Sequence, residues 1–320
     1  MFIIESLRDK NVWDGRVDED QTSLRYHQVV TLQNINELKA NKNSACFGII
    51  GFQCDEGVRR NQGRVGAAQA PDAIRKRLAS IPYTLQHDVK TVDVGNIACE
   101  GENLERAQQD LGKHVTTLLN KQYTPIILGG GHETFYGHYL GVREAVGEEA
   151  SIGMINIDAH FDLRTCKTPS SGTMFQQILS EDLNASYLCL GIQKFGNTKA
   201  LFSEAKKHRC EYILEEEISN YEKTFEVIDQ FAKKHDYIII TLCTDSIIST
   251  AAPGVSAPSP FGLEPKVVKT LLRHLVAKKN ALSFDISEVN PVLDKDGQTT
   301  RLAAYLLAEV MHYFHKRKKV

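Results

Sequence analysis

A chain of 320 residues that is 42% hydrophobic and 24% charged, with a formal net charge of −2, has the balance of an ordinary soluble globular protein. That balance excludes the strongly basic surface of a nucleic-acid binder and gives no reason to expect a membrane partner. Seven scattered cysteines, an odd number without a C-x-x-C pair, fit neither a disulfide framework nor a zinc site and suggest reduced thiols in the cytoplasm.

At the start of the chain, Glu5, Arg8 and Asp9 interrupt any apolar stretch of signal-peptide length, so no leader is expected. Residues 1–44 lack a periodic pattern and are expected to form an N-terminal extension packed on a domain spanning 45–320. Short apolar, β-rich runs follow at 46–52, 89–94, 125–128, 152–157, 187–192, 212–214, 237–242 and 281–286, which makes eight predicted strands. Several are continuous rather than alternating, as parallel strands covered on both faces are. Helical patterns lie between them. Val267, Val268, Leu271, Leu272, Leu275 and Val276 mark one helix, and Leu302, Tyr305, Leu306, Val310 and Met311 mark a C-terminal one. This alternation predicts one doubly wound α/β domain. The connection 251–265 holds four of the nine prolines (Pro253, Pro258, Pro260, Pro265), so it should be stiff and irregular on the side where such sheets bind ligands. The basic run Lys316, Arg317, Lys318 and Lys319 is expected to meet the dipole of the last helix.

Four strand ends carry candidate chemistry. After the run 152–157 come Asp158, His160 and Asp162, which extended geometry would place on one face. Two carboxylates and an imidazole in that arrangement call for a cation. After 125–128, three glycines let the backbone turn tightly and deliver His132 to a helix start. Missing the Lys-Ser/Thr ending, this loop is not a P-loop. The run 237–242 leads to Cys243 and Asp245, and the run 281–286 to Glu288, Asn290 and Pro291. Such a set suits two divalent ions, which together activate a water and stabilise charge on the attacked group. Oxygen-rich ligands favour Mn²⁺ or Mg²⁺, although imidazole also suits Zn and Fe.

At these residues the chain resembles the arginase/agmatinase ureohydrolases, through GGGHE (129–133), DAHFD (158–162), CTD (243–245) and SFDISEVNP (283–291). GVRRNQGRVGAAQAPDAIR (57–75), SSGTMFQQIL (170–179) and APGVSAP (252–258) are similar to the formimidoylglutamases of that group, which hydrolyse N-formimidoyl-L-glutamate to glutamate and formamide in histidine degradation. The resemblance implies a three-layer α/β sandwich with an eight-stranded, mostly parallel, doubly wound sheet and a pair of Mn²⁺ ions. Carried over by position, His132, Asp158, His160, Asp162 and Asp245 are metal ligands, with Asp158 bridging. Cys243 stands where the family has a second bridging aspartate, which implies one weakly held ion. Phe175 stands where arginases carry a catalytic His, and Ala70 replaces a usual turn glycine.

A substrate with two carboxylates and one amidinium needs a cation at the rim and an acid within. Arg164 is the predicted carboxylate clamp, with Asn61, Ser171 and Thr173 as further substrate contacts; Arg60 and Arg64 are weaker candidates. Thr173 and Gln176 also fit a capping box. Glu288 is the predicted acid facing the amidinium, and Asp162 the group passing a proton to the departing nitrogen. An agmatinase or other guanidino-acid hydrolase, and a non-catalytic metabolite-binding relative with an impaired metal site, stay open as alternatives. A homo-oligomer is compatible with the sequence.

Overall fold

Continuous apolar runs become nine strands in the computed structural model, which describes residues 12–19, 24–41, 45–85 and 89–317. They are β1 (Thr31–Leu32), β2 (Cys46–Gln53), β3 (Lys90–Ala98), β4 (Thr124–Leu128), β5 (Ile152–Ile157), β6 (Ala185–Ile192), β7 (Glu211–Leu214), β8 (Tyr237–Cys243) and β9 (Ala281–Ser287). The sheet order is β1-β3-β2-β4-β9-β8-β5-β6-β7, and every neighbouring pair runs parallel. The predicted count of eight is therefore one short. The missing strand, β1, is two residues long, too short to leave a periodic signal.

Because successive strand residues face opposite sides, the core divides into two layers. Phe47, Ile49, Ile155, Ile157, Ile240 and Phe284 pack under helices Ala70–Ala79, Tyr221–Lys233, Pro265–Val276 and Gln298–Arg317. Val92, Val94, Ile127, Met154, Cys189 and Ile239 pack under helices Leu104–Asn120, Thr134–Val146, Met174–Glu181 and Lys199–Lys207. Both predicted helical stripes form, with one exception. Tyr305 is 56% exposed, and the buried stripe of the C-terminal helix runs instead through Ala303, Ala304, Leu306, Leu307, Val310, Met311 and Phe314. Its basic end is described as far as Arg317; Lys318 and Lys319 lie outside the described residues. Ala70 sits fully buried in right-handed helical geometry, φ −60° and ψ −43°, so the alanine costs nothing in backbone strain.

Consecutive in the sheet, β4, β9, β8 and β5 are the four strands whose carboxyl ends carry the candidate chemistry. At the other edge, the helix Ala70–Ala79 is tied to β3 by a buried ion pair. Arg75 Nε and Nη2 donate to Asp93 at 2.8 and 2.9 Å, and Trp13 Nε1 donates to the same carboxylate at 2.7 Å. Removing one partner of such a pair leaves the other charge buried without compensation. Arg75→Ala is expected to lower unfolding stability by about 3–5 kcal/mol in urea titration.

Candidate metal centre

The loop after β4 is built by close approach. Gly129 N–H donates to the Ile286 carbonyl at 2.7 Å and Gly131 N–H to the Cys54 carbonyl at 2.9 Å. A Cβ on Gly130 would lie 1.8 Å from that Cys54 oxygen, so only glycine fits. His132 follows, 1% exposed, and its backbone N–H donates to Glu288 Oε1 at 2.9 Å, which joins the ends of β4 and β9.

Asp158, His160 and Asp162 converge, but not by extended geometry. Asp158 Oδ1 accepts the His160 backbone N–H at 2.8 Å, which turns the chain back on itself, and Asp162 takes a left-handed φ of 49°. Cys243 and Asp245 meet across a 3₁₀ turn, with Cys243 Sγ donating to Asp245 Oδ1 at 2.9 Å. Glu288 is also left-handed, at φ 67°. Such a conformation costs a non-glycine residue about 1–3 kcal/mol, and it persists here where two carboxyls are aimed at one point.

The result is two groups of three potential ligands that share one residue. One atom each from His132, Asp158 and Cys243 lies within 4.8 Å of the others, and the same holds for Asp158, His160 and Asp245. Asp162 completes the first group, its Oδ2 standing 2.9 Å from His132 Nδ1, while Asp158 Oδ2 is 3.0 Å from the same nitrogen. His160 Nδ1 lies 3.2 Å from Asp245 Oδ2 and 3.6 Å from Asp158 Oδ1. The His160 side chain is 29% exposed and that of Asp162 15%, while Asp158 is sealed, so access is from the first two.

Charge is concentrated here. Burial pushes the Asp162 carboxyl up to about 6, with the Asp158 charge adding to it. Burial, then Asp245, hold Glu288 well above the carboxylate range. Burial would raise Asp158 too, but hydrogen bonds from His132 and His160 outweigh it and keep the carboxyl low. Burial followed by the Asp158 and Asp245 charges keeps the Cys243 thiol far above its usual range, and thus neutral. A shared carboxylate flanked by two His and carboxylate groups is a donor set that fits a pair of hard divalent ions.

The remaining predicted contacts divide into two kinds. Asn61 Nδ2 donates to Ser171 Oγ at 3.3 Å, and Arg164 N–H donates to the Gly172 carbonyl at 2.9 Å. A Cβ on Gly172 would sit 3.1 Å from Arg164 Cδ and 3.2 Å from Asn61 Nδ2, so these side chains crowd one glycine. Arg164 is exposed. Thr173 forms no capping box: its hydroxyl donates to the Ser170 carbonyl at 3.1 Å and accepts the Ser170 N–H, while Gln176 bonds Ser180. That buried hydroxyl is occupied by the turn. Arg60 is consumed by Glu56 and Glu105, and Arg64 by the carbonyls of Val255 and Ser256, so neither has a free guanidinium. Asn290 is an anchor, donating to the carbonyls of Arg64 and Val65. Phe175 is fully buried, stacked on Tyr187 at 4.0 Å with its ring 5.9 Å from that of His132.

Sequence reasoning missed Asn156, Thr241, Asp285 and His138, all fully buried beneath the ligands. The signal was present: each of the first three is a polar residue inside a buried strand, two positions before a residue at the strand's end.

Comparison with known proteins agrees with this geometry. The Arginase family model matches residues 45–313. Over 316 residues the chain is 51% identical to the formimidoylglutamase of Geobacillus sp. (strain WCH70), covering 97% of each. Among solved structures, formimidoylglutamase from Bacillus subtilis subsp. subtilis str. 168 superposes with a TM-score of 0.83 at 22% identity, covering 93% of this chain and 94% of that one. Trypanosoma cruzi formiminoglutamase with Mn²⁺ superposes with a TM-score of 0.77 at 25% identity, covering 89% and 99%. With the ends of three parallel strands, β4, β5 and β8, delivering two groups of candidate ligands that share Asp158, in a chain matched over most of its length, the protein belongs to the arginase family.

Proposed function

We propose that the protein hydrolyses the amidine C–N bond of N-formimidoyl-L-glutamate, giving L-glutamate and formamide, and that it does so with two Mn²⁺ ions at this centre. The observation that carries the reading is the pair of three-residue groups sharing Asp158, in a chain so similar to a formimidoylglutamase. His132, Asp158 and Asp162 would hold one ion and Asp158, His160 and Asp245 the other, with Cys243 facing both groups. When bound, the ions supply an activated water and electrostatic stabilisation of the attacked carbon's substituents.

The protein's own groups do the rest. Glu288 is fixed by the His132 N–H at 2.9 Å and offers a buried carboxyl to the amidine nitrogens. Asp162, whose side chain keeps some exposure beside His132, is the group assigned to pass a proton to the glutamate nitrogen as the C–N bond breaks. Arg164, which makes no ion pair among the described residues, is free to take a substrate carboxylate in a bidentate fork. Asn61 and Ser171, bonded to each other beside it, line the same rim, and Thr173 shapes the turn that presents them. A buried phenylalanine at Phe175 removes a proton shuttle from that side and counts against arginine as substrate.

Protein loaded with Mn²⁺ should turn over N-formimidoyl-L-glutamate far faster than agmatine, arginine or guanidinobutyrate, read as formamide against urea release; preference for agmatine would overturn the reading. Arg164→Lys should lower kcat/KM for formimidoylglutamate by about tenfold or more, since an ammonium cannot reproduce the planar fork. The buried Cys243 offers a single soft sulfur where a carboxylate would bridge, so one ion should be weakly held. Protein purified without added metal is expected to be partly empty, and Cys243→Asp to tighten the weaker ion by dialysis measurement while keeping or raising activity.

A further inference from the structure

Beneath the ligands runs a buried polar row. In the register of the central strands, Asn156 of β5 pairs with Thr241 of β8, and Thr241 with Asp285 of β9. All three are fully buried. Asn156 Nδ2 donates to Asp158 Oδ2 at 3.0 Å. Thr241 Oγ1 donates to Asp285 Oδ1 at 2.7 Å and stands 3.1 Å from His132 Nε2. Asp285 Oδ1 also accepts from Ser287 Oγ at 3.2 Å, and its Oδ2 lies 2.7 Å from His138 Nδ1. His138 Nε2 in turn meets Ser283 Oγ at 2.6 Å.

Proton bookkeeping along this row has one solution. A hydroxyl carries one proton. Asp285 accepts from Ser287, His138 and Thr241, so the Thr241 proton is committed to the carboxylate, and only a lone pair is left facing His132. Nε2 of His132 must therefore carry the hydrogen. The ring nitrogen left to give up its proton is Nδ1, the one standing 3.0 Å from Asp158 and 2.9 Å from Asp162.

We propose that Thr241, braced by the Asp285–His138 pair, is a positioning residue that fixes the tautomer and ring orientation of His132 so that Nδ1 faces the metal. It touches neither substrate nor ion and acts through His132. The inference rests on the metal-centre reading above. It follows the general pattern in which a ligating imidazole gives its other N–H to an oriented acceptor, with the difference that a threonine hydroxyl is interposed before the carboxylate. Without that hydroxyl the Nε2–H is buried unsatisfied, and the ring can flip or take the other tautomer at little relative cost.

The test is Mn²⁺ binding, measured from the free-ion signal in electron paramagnetic resonance, on the full chain and on Thr241→Val and Thr241→Ser. Thr241→Val preserves the shape without the hydroxyl and should weaken the tighter or the weaker ion by about 10–100-fold, while the melting temperature of the metal-free protein moves by only a few degrees. Thr241→Ser restores the hydroxyl and should bind like the parent. Thr241→Ala serves the same purpose should valine disturb packing. Equal Mn²⁺ affinity in parent and Thr241→Val, or a serine variant as defective as the valine one, overturns the positioning role alone. A parent protein that takes up no Mn²⁺ overturns the metal-centre reading and this inference with it.

Discussion

Four carboxyl groups brought to one largely buried corner set the terms for the rest of this structure. Asp158, Asp162, Asp245 and Glu288 are each at least four-fifths removed from water, and like charges so placed repel one another in a medium that screens them poorly. Burial first, and that repulsion after it, raise the Asp162 and Glu288 carboxyls. Every nearby feature offsets it: two imidazoles, backbone N–H donors from His132 and His160, the Asn156 amide, and the affinity for divalent cations that the arrangement creates. The protein holds together a cluster that would fly apart as isolated charges, and that tension is what makes it a place for metal ions.

A parallel sheet is well suited to this. All its strands end on the same side, so side chains just beyond the carboxyl ends of β4, β9, β8 and β5 share one crevice without any long loop having to reach in. The glycine turn at 129–131 packs against the Cys54 and Ile286 backbone and delivers His132 beyond it, and Asp162 and Glu288 take left-handed backbone conformations. Strain is stored where the ligands are aimed, and the two apolar layers on either face of the sheet hold it in place.

The proposed substrate contacts lie in a different part of the fold. Arg164 and Ser171, in the segment between β5 and β6, gather around Gly172 with Asn61 from the turn that follows β2. Separation of the chemistry at strand ends from recognition on a surrounding loop lets one arginase-type centre serve different amidines and guanidines. In the reading proposed above, the arginine at 164 and the phenylalanine at 175 favour a substrate bearing carboxylates.

The α/β alternation, the parallel sheet and the strand ends that bring His132, Asp158, His160, Asp162 and Asp245 together were legible from the chain alone, because buried strands demand continuous apolar runs and these ends interrupt them abruptly with His and Asp. Other features were decided only by the tertiary structure. Thr173 and Gln176 satisfy a capping-box pattern, yet Thr173 turns to Ser170, since a local pattern does not say which of several acceptors comes nearest. Arg60 and Arg64 carry the same charge as Arg164, but Glu105 and the carbonyls of Val255 and Ser256, which help occupy them, lie far away in sequence. Thr241 and Asp285 reveal their part only when β8 and β9 are set in register, because a hydrogen bond between residues 44 apart depends on strand pairing that no short stretch of sequence encodes.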